Sequence, residues 1–311
     1  MDHLQDSTPD GSGTTLARPS PLARGIPSQG RGPDSKHLRA LIDLLGDDSP
    51  ALFPHLRSEL LRLGRSARPA LKRATKSADA RRRGQARSIL LAADRQGAMR
   101  RLLGYGLRSQ VQLEQALLLL ARLDRADFDA RPYTRALDAM GAEVARRMDE
   151  VQDENTRAMV LPEYLGGELG FTGAEEDFAH PDNIHLHRCL ERKRGMPLTL
   201  TAVYLLVAQR AGITAGAVAL PGRVLLRLYM GKRSVLIDPF GGGRVRTRRY
   251  CLEYLGEHGL VPQVSWFQDA TPALLFQRHV LNLMSSCQMR DLHSQSRELH
   301  QLAMLIVRHQ D

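Results

Sequence analysis

Cys189, Cys251 and Cys287 are the only thiols in the 311-residue chain, and they lie at long, unequal spacings. Neither a disulfide framework nor a CxxC zinc site has that pattern, so the thiols are read as reduced, with no metal and no other cofactor implied. A thiol becomes a nucleophile when a helix N-terminus or a basic neighbour lowers its pKa. Cys189 lies six residues before Gly195, away from any such helix start, and is read as a buried, inert side chain with a catalytic role as the alternative. Thr199 and Thr201 fall in the first turns of the next helical stretch, but a hydroxyl there needs an adjacent base and the local sequence supplies none. His185 and His187, two apart, point in different directions on a helix and do not form a joint metal site. His180 precedes Pro181 in a turn. Gly241-Gly242-Gly243 lacks the Lys-Ser or Lys-Thr ending of a phosphate-binding loop and also reads as a turn.

The elements that must position these groups follow from apolar spacing. Residues 1–36 hold five Pro, five Gly and five Ser with no period, the composition of a disordered tail. Helical spacing begins at Leu38, Leu41 and Leu45. Residues 44–64 then resemble 74–94, with Leu60-Leu61 over Leu90-Leu91, which gives a HEAT-like helical region over 37–104. Residues 111–122 form a strongly apolar helix and 132–149 an amphipathic one, expected to pair antiparallel. Asn183 is the expected N-cap of a helix that Gly195 ends. Pro197 opens the most apolar helix of the chain, and Gly212 terminates it. Beyond Gly212 the segments ITAGAVAL, VLLRLYM and SVLI are short, β-branched and separated by turns, so an antiparallel sheet is expected. Helices return at 247–257, 271–287 and 291–308. The class is α+β, rich in helix, with a small antiparallel sheet.

The formal net charge is +10, and 39 of the 44 basic residues are arginine. Fourteen Lys or Arg against three acids lie between Arg57 and Arg101, including Arg81, Arg82 and Arg83. Such a stretch is a solvated helical face or a nucleic-acid site, and it has no interleaved aromatics to stack on bases. The longest apolar run, Leu198 to Ala208, is too short for a membrane helix, so no membrane partner is expected. The opening MDHLQDSTPDG is acidic and polar, unlike a signal peptide, which makes the cytoplasm the expected location.

Several separated motifs occur in an ordered series: LEQALLLLARL (113–123), ELGFTGAEEDF (168–178), NIHLHRCLERKRGMPLTL (183–200), LPGRVLLR (220–227) and LIDPFGGG (236–243). The series resembles the SirB1-type transglutaminase-like family, and it includes Asn183, Arg194, Gly195, Pro197, Pro221, Gly222, Asp238, Pro239 and Gly242 of that family's pattern. RHVLNLMSSC (278–287) resembles the family's tetratricopeptide-like helical extension. The resemblance implies a papain-like core over 105–260 flanked by helical repeats, with the extension at 261–311. In the wider superfamily a Cys at the start of the buried helix, a His on the next strand and an Asp that orients it form the catalytic set. Laid over this chain, those positions fall at Pro197, Arg223 and Asp238, so only the Asp remains. The implied function is a non-catalytic binding or scaffolding protein with a protein partner. A hydrolase or acyl transferase with an unrecognised nucleophile is one alternative, and nucleic-acid binding through 57–101 is another. Arg223 is expected to face Asp238 across adjacent strands.

Overall fold

The computed structural model describes residues 35–307, with the exceptions of Ser109 and Ala126. The tail reading for 1–36 therefore lies outside the described residues, save that Ser35 and Lys36 already begin the first helix.

Four helices come first among the described residues: α1 (Ser35–Asp43), α2 (Leu52–Leu63), α3 (Arg68–Ala74) and α4 (Ala80–Gly106). Their apolar faces close on each other around Leu45, Leu56, Leu60, Leu71 and Ile89. Asp79 caps α4, its carboxylate accepting the Arg81 and Arg82 amides. The three guanidiniums that follow turn back onto carbonyl oxygens. Arg81 donates to Asp47 (3.3 Å), Arg82 to Asp43 (3.0 Å), and Arg83 to Ser77 and Ala78 (2.8 and 2.7 Å). The run thus bonds to carbonyls at helix ends and turns, rather than forming a uniformly solvated face.

The second half of α4 belongs to a larger core through Ala98, Met99 and Leu102. That core includes α5 (Leu113–Leu120) and α6 (Arg131–Asp149). Next come the short α7 (Glu154–Arg157) and α8 (Val160–Pro162), the latter leading into a π-helical turn over Glu163–Glu168. A two-residue strand β1 (Thr172–Gly173) pairs in parallel with β2 (Arg194–Gly195), and α9 (Pro181–Ile184) and α10 (Leu186–Arg192) lie between them. The helix α11 (Pro197–Arg210) follows at once. Its Leu200, Val203, Tyr204 and Val207 are fully buried, because the helix is apolar on most of its circumference and is covered on several sides.

One of those covers is the sheet of β3 (Ala215–Leu220), β4 (Arg223–Met230), β5 (Arg233–Asp238) and β6 (Arg244–Arg246), antiparallel throughout in sequence order. Another is α6. Helix α12 (Arg248–Glu257) packs on the sheet through Cys251 and Leu255, while α13 (Pro272–Gln288) and α14 (His293–Val307) pack on each other and on α5 and α4.

Three local expectations are corrected. The 111–122 and 132–149 helices do not form a hairpin: α6 lies mainly on α11 and α5 on α4 and α13, because the all-round apolar α11 offers α6 a larger face to bury. Asn183 caps nothing. It sits inside α9, where Nδ2 donates to the Asp177 and Phe178 carbonyls and Oδ1 accepts from Arg192, while His180 caps α9 and His185 takes the cap position of α10. Finally, α10 ends at Lys193 in the left-handed conformation (φ 56°), two residues before Gly195. Gly195 is needed for space, since a Cβ there would lie 2.9 Å from the Cys189 sulfur.

Candidate functional site

Asp238 ends β5 and is 1% exposed. In this register Asp238 pairs with Arg244, and Arg246 lies two residues further along the same face of β6. On the other side, Arg223 stands at the start of β4, diagonal to Asp238 beyond the Leu226–Ile237 pair. Both guanidiniums converge on one carboxylate oxygen. Arg246 Nε and Nη2 are each 3.1 Å from Oδ2 and Arg223 Nη1 is 3.4 Å from it, while Oδ1 accepts the Gly241 amide at 3.2 Å. The expected Arg223–Asp238 pair is present, joined by a second arginine that sequence reasoning did not single out.

The α12 helix lies over this pair. The Arg223 guanidinium donates to the Tyr250 hydroxyl and lies 5.2 to 5.9 Å from the ring centres of Tyr254, Tyr250 and Phe240. That of Arg246 lies 4.2 Å from the Tyr250 ring, so both cations are held against aromatic faces. The Tyr254 hydroxyl donates to the Pro221 carbonyl at 3.3 Å, and a Cβ on Gly222 (φ 72°) would press within 2.6 Å of that hydroxyl. The turn after Asp238 is built from Pro239, Gly242 and Gly243, with the Gly243 amide donating back to the Asp238 carbonyl at 2.9 Å. Arg194 donates to the Gly170 carbonyl at 3.2 Å and so fixes the β1–β2 contact.

Pro197 is buried at the first position of α11, where its missing N–H is no loss. The side chains weighed as substitutes for a nucleophile are all engaged or buried. Thr199 Oγ1 donates to the Ile184 carbonyl and Thr201 Oγ1 to the Val224 carbonyl, both at 3.1 Å and both fully buried. Burial pushes the Cys189 thiol up to about 12, and burial also raises the thiols of Cys251 and Cys287. None of Cys189, Thr199 and Thr201 has a histidine as hydrogen-bond partner.

The histidines gather elsewhere, where α9, α10 and α13 meet. His187 Nε2 donates to Asp124 Oδ2 at 3.1 Å, a carboxylate being able only to accept, and the His185 and His187 ring centres are 5.4 Å apart. Burial drives His185 down to about 3 and His279 down to about 4. Among the described residues no group of His, Cys, Asp and Glu is arranged to hold a metal ion. No helix among them is long and apolar enough to cross a membrane.

The residues missed by sequence reasoning, Arg246, Tyr250 and Tyr254, come from one stretch. It carried a signal only as a basic run after a glycine turn, RVRTRRY (244–250), which stops short of Tyr254 and whose partner could not be read without the strand register.

Residues 131–280 match the profile of the transglutaminase-like superfamily, so the chain carries a transglutaminase-like domain. The UPF0162 protein of Xylella fastidiosa strain 9a5c is 30% identical over 152 residues, 48% of this chain and 54% of that protein. The UPF0162 protein PA3419 of Pseudomonas aeruginosa is 30% identical over 189 residues, 60% of this chain and 66% of that protein. F-box only protein 21 of Mus musculus is 30% identical over 129 residues, 39% of this chain and 20% of that protein. The chain spans about half the length of the first of these relatives. No solved structure matches it.

Proposed function

We propose that this chain is a non-catalytic binding or scaffolding protein of SirB1 type, working on a protein partner in the cytoplasm. In this reading the transglutaminase-like core is degenerate, 37–104 is a HEAT-like region, and 261–311 is a tetratricopeptide-like extension. The observation that carries it is the Arg223 guanidinium set against the buried Asp238 carboxylate, where the superfamily places a histidine. A guanidinium with a pKa above ~12 cannot take a proton at neutral pH, and Pro197 offers no nucleophile at the start of α11. Tyr250, Tyr254 and Phe240 against Arg223 support a filled cleft rather than one open to substrate. The match to only 20% of F-box only protein 21 supports a core that serves as one module among others.

The test is thiol chemistry. Iodoacetamide should leave Cys189 unmodified in the folded protein at neutral pH, and no amide or ester hydrolysis sensitive to iodoacetamide should be found. Hydrolysis abolished both by iodoacetamide and by Cys189→Ser would establish the hydrolase alternative instead.

A further inference from the structure

Two adjoining grooves run along α4, away from the Asp238 site. The first, about 750 Å³, lies between the end of α2, the start of α3 and the second half of α4, and Arg65, Arg100, Arg101 and Arg122 line it. The second, about 520 Å³, follows the first half of α4 past Arg57 and Arg87 and meets the first at Arg122. Among the described residues, none of these six arginines has an ion pair or a side-chain hydrogen bond. The acids lining the grooves are already engaged. Asp94 is held by Arg68 at 2.5 and 3.2 Å, and Asp124 by His187 at 3.1 Å and Arg188 at 3.4 Å. The charge of the grooves is therefore uncompensated, in contrast to Arg81, Arg82 and Arg83, whose guanidiniums are spent on backbone carbonyls.

Leucine side chains lie among these arginines in both grooves. Leu61 and Leu90 are half-buried in the first groove, and Leu91 is 59% exposed in the second. Aromatic side chains line neither, so unpaired bases have nothing to stack on. A phosphate backbone would engage the arginines but leave the leucines facing charge. Carboxylates satisfy the guanidiniums as well as phosphates do, and a peptide can set apolar side chains between them. From Arg87 to Arg101 the helix rises about 21 Å, the reach of about six extended residues. We propose that the α4 grooves bind an acidic protein segment carrying apolar side chains. This site is independent of the reading given to the core.

Fluorescence anisotropy on the full chain tests it with five labelled probes. These are an alternating Glu-Leu peptide, an all-Glu peptide and an alternating Lys-Leu peptide of equal length, and single- and double-stranded DNA of matched charge. The Glu-Leu peptide should bind most tightly and lose affinity as salt is raised. The double substitution R100E/R101E should weaken it about tenfold at an unchanged melting temperature, since both side chains are exposed and unpaired, and R65E should weaken it in the same direction. Binding of either DNA as tight as that of the Glu-Leu peptide would assign the grooves to nucleic acid and overturn the proposal. Failure of the Glu-Leu peptide to bind, or an affinity indifferent to R100E/R101E, would overturn it equally.

Discussion

Arg246 holds the Oδ2 atom of Asp238 with both Nε and Nη2, each at 3.1 Å, and Arg223 reaches the same oxygen from the opposite strand at 3.4 Å. A carboxylate 1% exposed is thus neutralised twice over. Removing Arg223 alone leaves the closer partner, so Arg223→Ala should lower stability by about 1 kcal/mol. Removing both strands the charge, and R223A/R246A should lose ~3–5 kcal/mol in urea unfolding. A single Arg223→Ala variant as unstable as the double would show that Arg246 does not compensate.

How much of this site was legible beforehand depended on distance along the chain. Pro197, Arg223 and Asp238 lie inside motifs whose order is visible in the sequence, and the Arg223–Asp238 pair follows from two consecutive strands joined by a short turn. The broad class was legible for a similar reason: helical spacing gives way after Gly212 to short β-branched segments separated by turns, and the sheet begins at Ala215. Arg246 could not be placed, because its approach to Asp238 depends on the register of a three-residue strand that alternation does not reveal. The partner of α6 escaped for another reason. Adjacency in sequence favoured α5, but apolar area favoured α11, and area prevailed. Asn183 was misplaced because Asn suits a helix cap and a buried amide equally well, and only the nearby carbonyls of Asp177 and Phe178 decide between them.

Two glycines of opposite kind test the packing. A Cβ on Gly166, in the π-helical turn, would collide with the Gly242 carbonyl oxygen behind Asp238 and come within 2.9 Å of the Tyr204 hydroxyl. Gly166→Ala should therefore destabilise by at least ~1–3 kcal/mol. Gly104 in α4 has nothing within 4 Å of its added Cβ, so Gly104→Ala should stabilise by about 0.5–1 kcal/mol. Thermal melts of the two variants should move in opposite directions, and a shift of the same sign in both would contradict the close approach at Gly166.

Thr201 is assigned here a structural hydrogen bond rather than a nucleophilic role. Thr201→Val keeps the shape and removes the donor to the Val224 carbonyl, at a cost of about 1 kcal/mol, while Thr201→Ser should retain most of it. Chemical denaturation of the three proteins distinguishes them. Equal stability of the Val variant and the parent would mean that the bond contributes nothing.

The buried histidines make the fold sensitive to acid. His185 and His279 are held neutral by burial, with folded values of about 3 and about 4 against an ordinary 6.5. What faces them adds little relief. His187, Arg188 and Arg278 oppose a positive charge, while the Asp124 carboxylate, bound to His187 and itself lowered to about 2, favours one on His185. Above pH 6.5 both states hold these two imidazoles neutral, and their neutrality imposes no penalty on folding. As pH falls below 6.5 the unfolded chain takes up protons that the folded chain refuses, and stability drops by up to about 1.4 kcal/mol per pH unit for each histidine until the folded values are reached. The melting temperature should fall steadily from pH 7 to pH 4. His279→Gln removes one of the two protons, so the variant should show a shallower fall than the parent even if it begins less stable. A parent melting temperature that stays level across this range, or a His279→Gln slope no shallower than the parent's, would show that these imidazoles take up protons as readily folded as unfolded.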